Sequence, residues 1–165
     1  MNIRFATEDD LPKIYELYRD EQGDNIAKLN VILSPERIKA SLEEMVRNRS
    51  VIIGEIVDHR RPDEDRDSLK VLIGGMAGSI IPCNFTNESI FMSMFFYIKE
   101  EYRPYTIAFL KKLTEMLSTL NISRLVIANP AGETGEKMDR FYRLSGFEVL
   151  ETHFYKMINR EPANV

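Results

Sequence analysis

Apolar residues along this chain gather into short runs and helix-spaced stripes, separated by polar punctuation. NIRF opens as a short strand, and Thr7 followed by Asp10 has the spacing of a capping box, in which the two residues satisfy each other's backbone donors. Leu11, Ile14, Tyr15, Leu17 and Tyr18 then recur at helical spacing and predict a helix with one apolar face. QGDNIAKLN, with Gly23 and Asp24, reads as a helix stop and loop. A second helix is signalled in SPERIKASLEEMVRNR: Ser34 caps it, Pro35 takes the first helical position where no N–H is needed, and Ile38, Leu42, Met45 and Val46 share a face.

Strands follow. The β-branched run from Ser50 to Val57 predicts one, and DHRRPDEDRDSL after it is too polar to bury, so it reads as an exposed hairpin connection. Leu69 to Ile81 predicts the next strand, with Gly74, Gly75 and Gly78 permitting a bulge or a close approach. PCNFTNE returns the chain to the apolar strand IFMSMFFYI, which ends in the turn KEEY. RPYTIAFLKKLTEML then predicts a helix from Arg103 to about Leu120, with Ile107, Leu110, Leu113, Leu117 and Leu120 facing a sheet. Arg124 to Ala128 reads as a buried strand ending at Asn129 and Pro130. The last third reads as a loop, an amphipathic helix, Gly146 as its stop, and a strand pair in FEVLETHFYKMI. Alternating strands and helices give an α/β (α+β) class, and no internal repeat is present.

Composition narrows the setting. A chain of 165 residues is one domain large enough for its own core, and 44% hydrophobic with 29% charged residues is ordinary for a soluble globular protein. One cysteine, Cys83, excludes an internal disulfide framework and fits a reducing compartment. No motif sets His59 or His153 beside it as a base, so it reads as a loop residue. Two histidines without clustering leave no metal-ligand spacing, and no metal is expected. No apolar run approaches the roughly 18 to 20 residues a membrane span needs, so no membrane partner and a cytoplasmic location are expected. The net charge of −4 argues against nucleic-acid binding over the whole surface. A local basic patch would have to gather Arg47, Arg49, Arg60, Arg61, Lys111 and Lys112.

The segment from Ile90 to Ala108 carries candidate chemistry. A helix that begins directly after a strand presents its first free N–H groups beyond the strand end, a geometry suited to phosphate. Arg103 at that helix start is disfavoured by the helix dipole and makes better sense with an anionic ligand between it and the amides. FYIKEEYRPYTIA resembles the acyl-CoA-binding segment of the GNAT family of N-acetyltransferases, an apolar strand followed by Q/R-x-x-G-x-G/A at a helix start. The pattern falls on Arg103, Thr106 and Ala108. Thr106 replaces the usual glycine, and Pro104, where another glycine is common, removes one donor. FYRLSGF resembles the same family's F/L-Y-x-x-x-G-F element, and NIRFATEDDLPKIYELYRDEQ its first strand and helix. The likeness spans Asn2 to about Glu21 and Lys70 to Ile158, leaving the middle unmatched.

The resemblance implies a GNAT-like fold: a mixed, mostly antiparallel sheet of about six to seven strands flanked by about four helices, splayed around an acyl-CoA cleft. It implies one domain over 1–158 with a tail at 159–165, and acetyl transfer from acetyl-CoA to a primary amine, of a small molecule or a protein, in a ternary complex. Backbone amides at Phe96, Tyr97 and Ile98 would polarise the thioester carbonyl. Arg103 with the amides of Tyr105, Thr106, Ile107, Ala108 and Phe109 would hold the diphosphate. Asn129 is either a contact to the pantetheine arm or a turn starter. Tyr142 would be general acid toward the CoA thiolate; otherwise it extends the apolar surface of Phe141, Leu144 and Phe147.

An amine with a pKa near 10.4 is neutral in only about one molecule in two thousand at pH 7, so a base is expected. Many relatives carry a glutamate about nine residues before the arginine, where this chain has Met94. Glu88 and His153 are the remaining candidates, and a water chain or an acceptor of low pKa would also serve. The alternative is a non-catalytic module of the same fold that binds acyl-CoA or a protein partner; modification of nucleic acid or its precursors is a third reading, and a homodimer stays open.

Overall fold

A computed structural model describes residues 1–19, 34–57, 70–82, 87–128 and 133–150. Strands β1 (Asn2–Phe5), β2 (Val51–Val57), β3 (Lys70–Pro82), β4 (Ser89–Ile98) and β5 (Ile122–Val126) form one sheet in that spatial order. The first four are antiparallel neighbours, whereas β5 runs parallel to β4. Helix α3 (Thr106–Thr119) makes that parallel pairing feasible by carrying the chain back to the starting end of β4. Helix α1 covers residues 11–19, α2 is Pro35–Arg47 and α4 is Glu133–Leu144. Two compact units result, Met1–Ala128 and Asn129–Val165, and each is described by itself.

The mixed, mostly antiparallel sheet with four helices is the expected architecture, but the described strands number five, fewer than six to seven. The expected final strand pair runs through residues 147–150, which carry no regular structure, and on beyond the described residues. The charged connection after β2, the loop after α1, Cys83 and His59 also lie outside them.

One face of the sheet is covered by α1 and α2. Ile14, Leu17, Leu42 and Val46 pack there with Val51, Ile53, Leu72 and Ala77 in a buried cluster, and Phe95 and Tyr97 of β4 lie against it. On the other face α3 buries Phe109, Leu110, Leu113 and Leu117. Ile107 was expected on that face and is instead 62% exposed. At 100° per residue it falls roughly a right angle away from the centre of the buried stripe.

Arg4 joins the first strand to its surroundings. Its guanidinium donates to both carboxylate oxygens of Asp10, at 2.7 and 2.9 Å, and to both of Glu55, at 2.8 and 3.1 Å. Asp10 also accepts from the Thr7 backbone N–H at 2.8 Å, as the capping-box spacing predicts. The Arg4 hydrogen bonds hold the Asp10 carboxyl at a pKa of about 2; burial pushes the other way, and the Thr7 donors add to the lowering.

Candidate active site

The site is built around an irregularity in β4. Ala77 pairs with Phe95 and Gly78 with Ser93, so Met94 is an extra residue with no partner position on β3. This is a β-bulge, which bends a strand and re-aims the residues beyond it. The buried Ser93 hydroxyl donates to the Phe95 carbonyl at 3.4 Å, linking the two flanks of the bulge. Gly78 permits the close approach: a Cβ there would lie 2.3 Å from the Met92 carbonyl oxygen.

On its other edge β4 pairs with β5 only from Ser89 opposite Ile122 to Met92 opposite Val126. Past Met92, among the described residues, β4 continues to Ile98 without β5 beside it. The two parallel strands therefore part at the position where the bulge bends β4. A cleft opening at the carboxyl end of neighbouring parallel strands is a common place for a ligand. Phe96 anchors this stretch, its ring 5.7 Å from that of Phe109 at the start of α3.

Beyond Ile98 the chain departs from the sequence expectation. The α-helix begins at Thr106, not Arg103; Glu100–Tyr105 is a short 3-10 helix. Pro104 explains the difference, because proline disfavours the α conformation at the residue before it and supplies no N–H. Arg103 thus sits in the tighter turn, exposed, with its guanidinium 3.4 Å from the Glu100 carboxylate. Thr106 gives both its N–H and its hydroxyl to the Arg103 carbonyl, the latter at 2.6 Å. Of the residues expected to form the anion cradle, Tyr105, Ile107 and Ala108 are exposed while Phe109 is buried against the sheet.

Strand β5 also shifts from expectation, covering Ile122–Val126 with only Ile122 buried. It is one of the two edge strands among the described residues, and Ser123 and Arg124 face solvent. Arg124 lies 3.7 Å from Glu88, which precedes β4. At about 3.3 Å per residue Glu88 is roughly 26 Å along the strand from Phe96.

Tyr142 belongs to the second unit. Near the end of α4 it is half-buried, with Phe141 and Phe147 ring centroids 5.6 and 5.5 Å away. Gly146, at φ +84°, allows the chain to turn back so that the Phe147 N–H reaches the Tyr142 carbonyl at 3.0 Å. Burial pushes the Tyr142 phenol up to about 12. Asn129 and His153 lie outside the described residues. The sequence reading allowed a bulge at Gly78, but two features escaped it: that the extra residue is Met94 on the facing strand, and the Arg4 network. A lone glutamate inside the apolar run VIIGEIV was the available signal for the second.

No protein-family model matches the chain, and no curated protein matches it in sequence. Solved structures do match. A probable acetyltransferase superposes with a TM-score of 0.70 at 17% identity, over 98% of this chain and 100% of that one. An aminoglycoside acetyltransferase, meta-AAC0020, from an uncultured soil metagenomic sample and in complex with sisomicin, gives 0.65 at 13% identity over 96% of both chains. AAC(6')-Iy in complex with the bisubstrate analogue CoA-S-monomethyl-acetylneamine gives 0.66 at 13% identity, over 96% of this chain and 98% of that one. The chain has a GNAT-like acetyltransferase fold. In this acetyltransferase fold the bulged β4, its divergence from β5 and the turn into α3 lie together in the first unit, while Tyr142 is in the second.

Proposed function

We propose that this protein belongs to the GNAT family and transfers an acetyl group from acetyl-CoA to a primary amine by direct attack in a ternary complex. The observation that carries the reading is the parting of β4 from β5 beyond Met92. A strand edge that β5 leaves uncovered among the described residues suits an extended arm bearing amides, which adds to it as another strand would. The thioester carbonyl then accepts a hydrogen bond from a β4 amide in the 96–98 stretch, where the negative charge of the tetrahedral intermediate develops.

The diphosphate would lie at the start of α3, on the amides of Ile107 and Ala108, with Arg103 released from Glu100 to face it. The small side chain of Ala108 keeps that approach open. In the reaction the amine nitrogen bonds to the acetyl carbon, the carbon–sulfur bond breaks with its electron pair going to sulfur, and the nitrogen gives up one proton to water. The thiolate takes a proton to leave as CoA. Tyr142 is the proposed donor. With its phenol at about 12 it stays protonated at neutral pH. A thiol ordinarily titrates near 8.5, so complete transfer from Tyr142 is uphill, and its main contribution is a hydrogen bond to the developing thiolate.

Titration calorimetry with acetyl-CoA tests the donor half of this reading. One saturable site per chain is expected, and absence of binding by the folded protein removes the reading.

A further inference from the structure

We infer that the acceptor is a primary amine on an apolar body, such as an arylalkylamine, and that Met94 contacts it; this rests on the acetyl-transfer reading above. On β4, Ile90 and Met92 are two residues apart and share a face, Ile81 of β3 is directly opposite Ile90, and Arg124 and Val126 of β5 are opposite Ile90 and Met92, so the apolar surface is bordered by one guanidinium at its Ile90 end. Ala77 shares this face through β3, so the surface continues the one that α1 and α2 cover, past the point where their packing ends. There Ile81 and Met92 are 40% and 38% exposed, and Ile90 and Val126 are half-buried. At the bulge, where β4 parts from β5, Met94 is 72% exposed.

Position then selects the residue. The attacking nitrogen must reach within about 3.5 Å of the acetyl carbon. Met94 is two residues from Phe96, roughly 7 Å along the strand, so it lies within reach of groups attached to that nitrogen. Ile81, Ile90 and Met92 continue the apolar wall along the acceptor's body. All ten residues of β4 are uncharged. A polycation would have to leave its hydration shell against this wall without a carboxylate from β4 in return; the nearby Glu88 carboxylate already faces Arg124 at 3.7 Å, and that guanidinium repels further positive charge, whereas a hydrocarbon body gains by burial. An apolar wall also disfavours the ammonium form over the nucleophilic amine. The thioether of methionine is a suitable contact for an aromatic ring.

Initial rates of CoA release are measured with acetyl-CoA and three acceptors: phenethylamine, spermidine and sisomicin. The expected kcat/KM for phenethylamine exceeds that for either polycation at least tenfold. Met94→Leu is expected to keep this preference, and Met94→Glu to narrow it at least tenfold, by lowering phenethylamine turnover and raising that of spermidine. Preference of the wild-type protein for spermidine or sisomicin overturns the inference while leaving acetyl transfer intact, as does an unchanged preference in Met94→Glu. If none of the three is acetylated by protein that binds acetyl-CoA, this inference fails, whereas the transferase reading fails only if a lysine-bearing peptide also releases no CoA.

Discussion

Gly78 and Met92 come so close across the β3–β4 ladder that a Cβ on the glycine would lie 2.3 Å from the Met92 carbonyl oxygen and 2.7 Å from the Phe91 ring. Neither the oxygen nor the fully buried ring is the far end of a flexible side chain. Gly78→Ala is therefore expected to push the strands apart next to the bulge and to cost about 1 to 3 kcal/mol. Urea denaturation checks this, and a midpoint equal to wild type contradicts the close approach.

Arg103 is expected to matter for binding and little for folding, since it is exposed and pairs only loosely with Glu100. Arg103→Glu sets a negative charge where the diphosphate is proposed to lie. Calorimetry should give at least tenfold weaker acetyl-CoA binding, about 1.4 kcal/mol, with unchanged thermal stability. Equal affinity in the folded variant removes Arg103 from the site.

Tyr142→Phe keeps the ring between Phe141 and Phe147 and deletes only the hydroxyl. Turnover is expected to fall roughly 10- to 1000-fold at nearly constant stability. Activity within threefold of wild type would make Tyr142 a packing residue. Because the phenol is pushed up to about 12, the wild-type rate should show no tyrosine ionisation below about pH 10.

Asp10 supplies a pH dependence with a definite sign. Its folded-state pKa of about 2 lies below the ordinary carboxyl value of 3.8, so its contribution is fully present above about pH 4 and is lost as pH falls through 2. The shift corresponds to about 2 kcal/mol. Asp10→Asn should lower stability at pH 7 by about that amount, and the difference from wild type should shrink toward pH 2. A pH-independent difference would show that the Arg4 pairing acts through packing alone.

These elements differ in how plainly the sequence announces them. Ser34 accepts a hydrogen bond from the Arg37 N–H, and Thr7 meets Asp10, because caps are local and their partners lie two or three residues away. The position of the bulge at Met94 is hidden, since IFMSMFFYI is apolar on both faces but for Ser93, so almost no alternation remains to be broken; only Gly78 on the facing strand hinted at it. Arg4 and Glu55 are 51 residues apart in sequence and meet only because β1 pairs with β2. At Arg103 the family-like pattern drew the helix start too early, and Pro104 was the local signal that marked the correct boundary.

Acetyl is proposed to pass directly from CoA to an amine nitrogen. The most direct test of this transfer is a single-turnover reaction of the full chain with acetyl-CoA labelled in the acetyl group and phenethylamine as acceptor, quenched over time and resolved by mass spectrometry. Label is expected to leave CoA and appear on the amine nitrogen at the same rate, with none on the protein at any time. Label accumulating on a protein side chain before reaching the amine, or remaining on CoA throughout, would contradict direct transfer.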